Sequence, residues 1–263
     1  MNRRKDSSAQ QNQTRPATNG GGDLHALPAA LAASALDEKL RKALETLGEL
    51  IESNVTAAVM SLIDRNVAMA IDVIETHIEI EAQLVVVDSN CRRALVEAND
   101  ETVARHIFAA ICNRSEMAHI ADEARDFARE VLFLTKKTAV GAQPDFARLF
   151  EWVERLMRDA NRVAIHADQD LAKIMLQMEP TVENECRVII EQILQMDNKV
   201  NHNADFALYL VMALQHLRSI ARSAGKIAQA AVYLKEGRSL KTEYDLPYSS
   251  DELAALRRAA TIE

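Results

Sequence analysis

The segment SEMAHIADEARDFA, residues 115–128, carries acidic side chains and one histidine at helical spacing. Glu116, His119, Asp122 and Asp126 follow one another at intervals of three or four residues. Side chains spaced in this way are neighbours on the surface of a helix. Carboxylate oxygens suit Mg²⁺ and Mn²⁺, and an imidazole nitrogen also suits Zn²⁺ and iron. These residues are therefore a candidate metal site, and the alternative is an acidic helix face in water.

A site of this kind needs long helices to position it, and the rest of the chain predicts them. Hydrophobic residues make up 48% of the 263 residues, whereas there are only 7 glycines and 5 prolines. Apolar residues recur with the period of an α-helix in six segments. The predicted helices cover residues 36–63, 66–97, 101–136, 145–166, 169–196 and 204–235. The predicted fold class is all-α.

Capping and breaking residues mark the ends of several predicted helices. Ser34 is predicted to cap the first helix, and Gly237 is predicted to end the sixth. Gly141 and Pro144 interrupt the pattern between the third and fourth helices. Pro180 lies within the fifth helix, where apolar periodicity resumes beyond it, so we expect a kink rather than a break.

These signals divide the chain into four predicted parts. Residues 1–33 are rich in Gln, Asn, Ser, Thr and Gly and are predicted to form a disordered arm. A first three-helix repeat follows over residues 34–138, and a second covers residues 143–238. Residues 239–263 form a tail, in which the capping box SSDE at residues 249–252 predicts one short helix.

The two repeats are visible in the sequence as a match between the third and sixth helices at an offset of 100 residues. Apolar residues of helical period occupy the same positions in both. They are Met117, Ile120, Ala121, Ala124, Phe127, Ala128, Val131 and Leu134 in the third helix, and Leu217, Ile220, Ala221, Ala224, Ile227, Ala228, Ala231 and Leu234 in the sixth. The second and fifth helices also match, at an offset of 104 residues. We predict two copies of a three-helix bundle.

At the same offset of 100 residues, acidic positions of the third helix correspond to basic positions of the sixth. The counterparts of Asp122 and Asp126, together with the residue one turn before them, form a basic row: Arg218, Arg222 and Lys226. Fixed positive charges oppose a bound cation, so a metal site at these positions is not expected. The row has three interpretations: a stripe in water or paired with the protein's own acids, a docking surface for an acidic partner, or a site for phosphate or a nucleotide. A related hypothesis is that the acids of the first repeat pair with these bases and so replace a metal by salt bridges.

The second helix carries further charged residues that recur in the fifth. These acids are predicted to form an exposed charged face, and they are Glu75, Glu79, Glu81, Glu179, Glu183 and Glu185. His77 lies among them without a recognisable ligand motif, and we predict that it is a surface or half-buried residue.

Three segments of the chain resemble the PhoU family, over roughly residues 36–240. They are LETLGELIESNVTAAVMSLIDRNVAMAIDVIE with Gly48, AAICNRSEMAHIADEARDFAREV, and ALQHLRSIARSAGKIAQAAVYLKEGR. The second places Ile120, Ala121 and Asp122 where the family usually has Ile-Gly-Asp, and the third contains the family's Tyr-Leu-x-x-Gly ending. The resemblance implies two tandem three-helix bundles related by a pseudo-two-fold axis.

The resemblance also implies a function. PhoU proteins are cytoplasmic accessory proteins of the high-affinity phosphate ABC transporter, and they link its ATPase subunit to a sensor histidine kinase that controls the phosphate-starvation response. Family members form dimers, have no established catalytic activity, and can bind iron, zinc or magnesium through a Glu/Asp-x-x-x-Asp motif on the third helix of each repeat. This chain departs from the motif, because Ala118 replaces its first acid and Asp126 restores an acidic pair only in a shifted register.

Bulk properties restrict the function further. The net charge of −8 argues against binding to nucleic acid or to an anionic membrane, and no apolar run is long enough to predict a membrane span. The three cysteines are isolated, which favours a reduced, cytoplasmic setting. No P-loop, GxGxxG or HExxH motif occurs, so we do not expect an enzyme. The hypotheses are a PhoU-type regulator, a divergent scaffold for another transporter or signalling pathway, and a metal-binding helical bundle.

Overall fold

Six α-helices account for most of the residues described by the computed structural model, which are 37–136, 146–197 and 204–236. The helices are α1 (Glu38–Ile63), α2 (Val67–Glu97), α3 (Glu101–Thr135), α4 (Ala147–His166), α5 (Gln169–Asp197) and α6 (Ala204–Glu236). No β-strand occurs in these ranges. Every helix begins and ends within two residues of its predicted bounds, and the predicted all-α fold class is confirmed.

Several predictions made at the chain ends and in the linker lie outside the described residues. They concern the arm at 1–33, the cap at Ser34, the break at Gly141 and Pro144, the helix end at Gly237 and the tail helix at 249–252. Asp37 precedes α1 but makes no capping hydrogen bond with its side chain. Its carboxylate instead forms an ion pair with Arg93 near the end of α2. The exact limits of the two repeats stay predictions.

Local sequence signals account for the helix starts within the described ranges. Asn66, Asp100 and Asp168 accept hydrogen bonds from the backbone amide three residues further on, at 3.1, 2.9 and 3.1 Å. These bonds satisfy amides that have no partner inside the helix. Ala167 ends α4 in the left-handed conformation, with φ of 50°. α5 continues past Pro180 without a break, and the predicted kink at this residue stays a prediction.

The helices pack as two sets of three. α1, α2 and α3 contact one another, and so do α4, α5 and α6. The two sets meet through α3 against α6, which is the most extensive helix contact described, and through α1 against α4. α2 packs on α1 and α3, and α5 packs on α4 and α6, so these two helices form the opposite flanks of the molecule.

The apolar stripes predicted for α3 and α6 form the centre of the core. Every residue of the two stripes is buried except Leu234, which is partly buried. The buried residues of both stripes belong to one hydrophobic cluster that includes residues from all six helices. The helices are apolar mainly on their packed faces, and within the described ranges none is long and apolar enough to cross a membrane.

α3 and α6 run antiparallel, and contacts along their whole length show the relation. Phe108 packs edge-on against Tyr233 at one end, with ring centroids 6.1 Å apart. At the other end Phe133 stacks on Tyr209, with centroids 4.9 Å apart. Midway, the His119 Nε2 and Ser219 Oγ atoms are 3.0 Å apart.

The contact between His119 and Ser219 marks the internal symmetry. The two residues are 100 positions apart in the chain, which is the offset that aligns the two repeats in the sequence. Two equivalent elements that cross on a two-fold axis meet at equivalent positions. The pseudo-two-fold axis therefore passes close to this hydrogen bond.

The second contact between the repeats, α1 against α4, depends on Gly48. A Cβ atom at this position would lie 1.9 Å from Asn161 Oδ1 and 2.6 Å from Asn161 Cγ. The Asn161 amide thus occupies the space that a side chain at position 48 would need. Glycine leaves room for the Asn161 amide in this position, although it costs helix propensity.

The effect of Gly48→Ala on the free energy of unfolding should therefore have opposite signs with asparagine and with alanine at position 161. In the wild-type background we expect it to lower the free energy of unfolding by a few tenths to about 1 kcal/mol, because the methyl group forces the Asn161 amide to rotate away. In an Asn161→Ala background the space is open, and the same substitution should raise stability by about 0.5–1 kcal/mol through helix propensity. Urea denaturation of the four proteins measures both effects. Equal effects in the two backgrounds would show that this contact does not limit position 48.

Candidate functional site

A group of possible metal ligands lies in the groove between α2 and α3. His77 and Glu81 are one turn apart on α2, and Asp122 of α3 lies opposite them. His77 Nε2 is 3.5 Å from Glu81 Oε1 and 3.5 Å from Asp122 Oδ1. One ligand atom from each residue can be chosen so that all three lie within 4.8 Å of one another. Asp122 was predicted from the sequence, whereas His77 and Glu81 were not.

Arg125 lies within the same group. Its Nη1 donates to Asp122 Oδ1 at 2.8 Å and lies 2.9 Å from His77 Nε2. Its Nε donates to Asp126 Oδ1 at 3.0 Å. Because a guanidinium has no acceptor, His77 must accept through an unprotonated Nε2. The proton of a neutral ring is then on Nδ1, which is buried without a hydrogen-bond partner.

The arginine also determines the ionisation of Asp126. Burial alone would raise the pKa of this carboxyl. Hydrogen bonding to Arg125, aided by the charge of Arg129 at 2.7 Å, outweighs burial and holds the pKa below its usual value. Asp126 is therefore an ionised partner of two arginines.

A metal ion does not fit this group as it is arranged. The donor types are suitable, because one imidazole and two carboxylates are common ligands of Zn²⁺, iron and Mn²⁺. However, an ion bound to His77 Nε2 and Asp122 Oδ1 would meet Arg125 Nη1, which contacts both atoms. The permanent charge of the guanidinium opposes a second cation at the same place.

The four predicted ligands do not converge on one point. Asp122 and Asp126 bind Arg125 beside the α2 groove, whereas Glu116 and His119 contact α6. Glu116 Oε2 is 3.2 Å from Lys226 Nζ, and His119 lies against Ser219. The sequence shows that these residues share a helix, but helical spacing alone does not tell which neighbour each one meets.

The basic row on α6 is paired with acids of the protein itself. Arg218 Nη2 and Arg222 Nη2 both donate to Glu183 Oε1 of α5, at 3.0 and 2.8 Å. Lys226 pairs with Glu116. The hypothesis that first-repeat acids meet second-repeat bases therefore describes one pair, and the other two bases use an acid of their own repeat. Arg222 remains 56% exposed, so its role in binding an acidic partner or a phosphate stays a prediction.

The pKa values of two acids that are buried or half-buried, Glu183 and Glu130, shift in opposite directions. Burial would raise the pKa of Glu183, but the hydrogen bonds from Arg218 and Arg222 outweigh it and leave the pKa below its usual value. Glu130 of α3 is buried, and its Oε2 has no hydrogen-bond partner. Burial raises the pKa of Glu130 above its usual value.

Comparison with known proteins identifies the architecture. The family model for the PhoU domain matches residues 146–231. A relative from Pseudomonas putida, named as a phosphate-specific transport system accessory protein PhoU homolog, is 24% identical over 78% of this chain and 80% of its own length. The crystal structure of PhoU from Pseudomonas aeruginosa superposes with a TM-score of 0.71 and 25% identity, covering 76% of this chain and 97% of that one. The chain is therefore similar to PhoU proteins in sequence and in fold.

Further relatives extend the comparison. A PhoU homolog from Aquifex aeolicus is 23% identical over 79% of this chain and 94% of its own length. PhoU from Streptococcus pneumoniae shares the fold, with a TM-score of 0.71 at 16% identity, over 81% of this chain and 99% of that one. The PhoU likeness thus spans both repeats.

The PhoU domain match falls on the repeat whose acids have become bases. Residues 146–231 include Arg218, Arg222 and Lys226, which stand where the resemblance would place the acids of the PhoU motif. The apolar stripe on the same helix is buried, apart from the partly buried Leu234. The two repeats of this chain thus share the apolar pattern of α3 and α6 but differ in the charges beside it.

Glu183→Gln should reduce the sensitivity of the protein to acid. A carboxyl whose pKa is lowered in the folded state stabilises the protein above its unfolded pKa, near 4.5, and this contribution is lost as pH falls through the folded pKa. We expect the wild type to lose a few tenths to about 1 kcal/mol more stability than the variant between pH 6 and pH 3, since the pair is partly exposed. Urea denaturation across this range measures the difference, and parallel pH profiles would contradict it.

Glu130→Gln should have the opposite pH dependence. Because the folded-state pKa is raised, the ionised carboxylate disfavours folding above that pKa, and the cost vanishes once the group is protonated in both states. We expect the variant to be more stable than the wild type by a few tenths to about 1 kcal/mol at pH 7, because the partnerless carboxylate is removed. The two proteins should converge below pH 4. A constant difference at all pH values would exclude ionisation as the cause.

Proposed function

We propose that this protein is an accessory regulator of phosphate uptake that restrains phosphate-starvation signalling when phosphate is plentiful. It acts in the cytoplasm, as a homodimer, through contacts with a phosphate ABC transporter ATPase and a sensor histidine kinase, and it does not act as an enzyme. The observation that carries the proposal is the likeness to PhoU homologs over both repeats, including 78% of this chain in the Pseudomonas putida relative. That relative is named as an accessory protein of a phosphate-specific transport system.

The arrangement of the helices supports an adaptor that joins two partners. α3 and α6 contain 35 and 33 residues, and at 1.5 Å per residue each is about 50 Å long. They connect two similar three-helix sets, so a contact at one flank is coupled mechanically to the other. A regulator that joins a transporter to a kinase needs two separate binding surfaces on one scaffold.

The two flanks differ in chemistry, which allows two partners to be distinguished. The outer side of α2 exposes aliphatic side chains, including Ile78 at 75%, Val85 at 63% and Val96 at 88%, together with acids such as Glu75 and Glu79. The flank of the second repeat carries the basic row, in which Arg222 is half exposed beside Glu183. Apolar and basic surfaces select different partners. We assign the basic row to an acidic surface of one partner.

Deletion of the gene in its own host tests the proposed function. With excess phosphate in the medium, we expect phosphate uptake and a phosphate-starvation reporter to rise severalfold, and a plasmid copy of the wild type to restore repression. An unchanged phosphate response would overturn the proposal. In that case, co-purification of the protein with the ATPase of a different transporter would support the alternative of a scaffold for another pathway.

The same strain tests the basic row with a matched pair of variants. Arg222→Glu and Arg187→Glu reverse the charge of arginines that are 56% and 59% exposed, on α6 and α5 respectively. Both should retain stability to within about 1 kcal/mol, as is usual for exposed ion pairs. We expect Arg187→Glu to restore repression and Arg222→Glu to fail. Full repression by both variants would exclude the row as a docking surface.

A further inference from the structure

The groove between α2 and α3 contains more than a set of metal ligands, because a cation of the chain already occupies it. Glu81, Asp122 and Asp126 bring three carboxylates to the groove, and His77 adds a ring nitrogen. Arg125 contacts His77 and both aspartates, and its side chain is only 22% exposed. The three atoms that it contacts belong to three different side chains, as the ligands of a bound ion would.

A guanidinium can fulfil the electrostatic role of a metal ion in such a groove. It is planar, it is charged at every relevant pH, and its several N–H groups reach acceptors in fixed directions. Arg125 uses Nη1 for His77 and Asp122 and uses Nε for Asp126. It therefore ties α2 to α3 and neutralises part of the local negative charge.

The second repeat also pairs arginine with a carboxylate in its groove, but the residues stand at different positions of the repeat. In the groove between α5 and α6, Glu183 accepts hydrogen bonds from Arg218 and Arg222. Arg222 is the counterpart of Asp122 at the offset of 100 residues, whereas the counterpart of Arg125 is Gly225. In each repeat the groove thus holds an arginine against a carboxylate, although the arginine comes from a different turn of the helix.

We propose that Arg125 is a built-in cation that replaces a metal ion in the groove between α2 and α3, so that this protein holds its first repeat together without a bound metal. The proposal goes beyond the proposed function and does not depend on it. A tethered cation cannot dissociate, and chelators or metal starvation cannot remove it. The packing of α2 on α3 is therefore independent of the supply of metal, unlike that of a bundle whose groove is closed by an exchangeable ion.

Removal of the arginine should convert the groove into a metal site. Arg125→Ser leaves His77, Glu81 and Asp122 in place and removes the competing charge. The matched control is Arg129→Ser, which removes another arginine of α3 that pairs with Asp126 but has no described contact with His77. Purified full-length proteins are dialysed against Zn²⁺ or Mn²⁺, and bound metal is measured by elemental analysis together with the melting temperature with and without EDTA.

We expect the wild type and Arg129→Ser to bind no stoichiometric metal and to melt at the same temperature with and without metal. Arg125→Ser should melt at a lower temperature in EDTA, bind about one metal ion per chain, and recover stability when metal is added. Arg125→Lys keeps the positive charge and should still exclude metal, which keeps the test decisive if the serine variant folds poorly.

Two results would overturn the proposal. The first is that the wild type binds stoichiometric metal and that Asp122→Asn abolishes this binding, because a metal ion would then displace Arg125 from the groove. The second is a folded Arg125→Ser protein that melts like the wild type and gains no metal, because Arg125 would then be an ordinary surface ion pair.

Discussion

The antiparallel contact between α3 and α6 is the interaction on which the rest of the molecule depends. Each of these helices packs against its own bundle and against the other repeat, because its apolar stripe faces both. Alanine occupies many of the buried positions, including Ala121 and Ala124 on α3 and Ala221 and Ala224 on α6. Small side chains let helix backbones approach closely, so the two bundles share one continuous core rather than two cores in contact.

Polar groups determine the position of one helix along the other more sharply than apolar packing does. Along the shared helix pair, Glu116 meets Lys226, His119 meets Ser219, and His216 Nδ1 lies 2.6 Å from Glu123 Oε2. A slip by one turn, about 5.4 Å, would separate all of these partners while leaving most apolar contacts possible. The ion pairs in the outer grooves have the same effect on α2 and α5. Their net contribution to stability is modest, and each pair fits the register that the structure shows.

The sequence was sufficient to predict the helices and their internal relation. Periodicity located all six helices, and the offset between Ile120 and Ile220 predicted that the third and sixth helices are equivalent. The sequence did not predict that these two helices pack together around His119 and Ser219. The contents of the grooves could not be predicted in the same way. Periodicity shows which residues share a face of one helix, but it carries no information about the axial shift between two helices. That shift decides whether Asp122 meets His77 or a residue one turn away. His77 was predicted to be at most half-buried, and it is buried because the shift places it against α3.

The contact between His119 and Ser219 at the centre of the molecule also distinguishes this chain from a dimer of identical halves. In a dimer of two identical half-length chains, a residue on the two-fold axis would meet a copy of itself, so histidine would face histidine or serine would face serine. Here a histidine faces a serine across that position. Such a mixed pair requires two repeats of different sequence, which a single chain containing both repeats provides. The same freedom allows equivalent positions of the two repeats to carry opposite charges, as Asp122 and Arg222 do, which identical halves cannot.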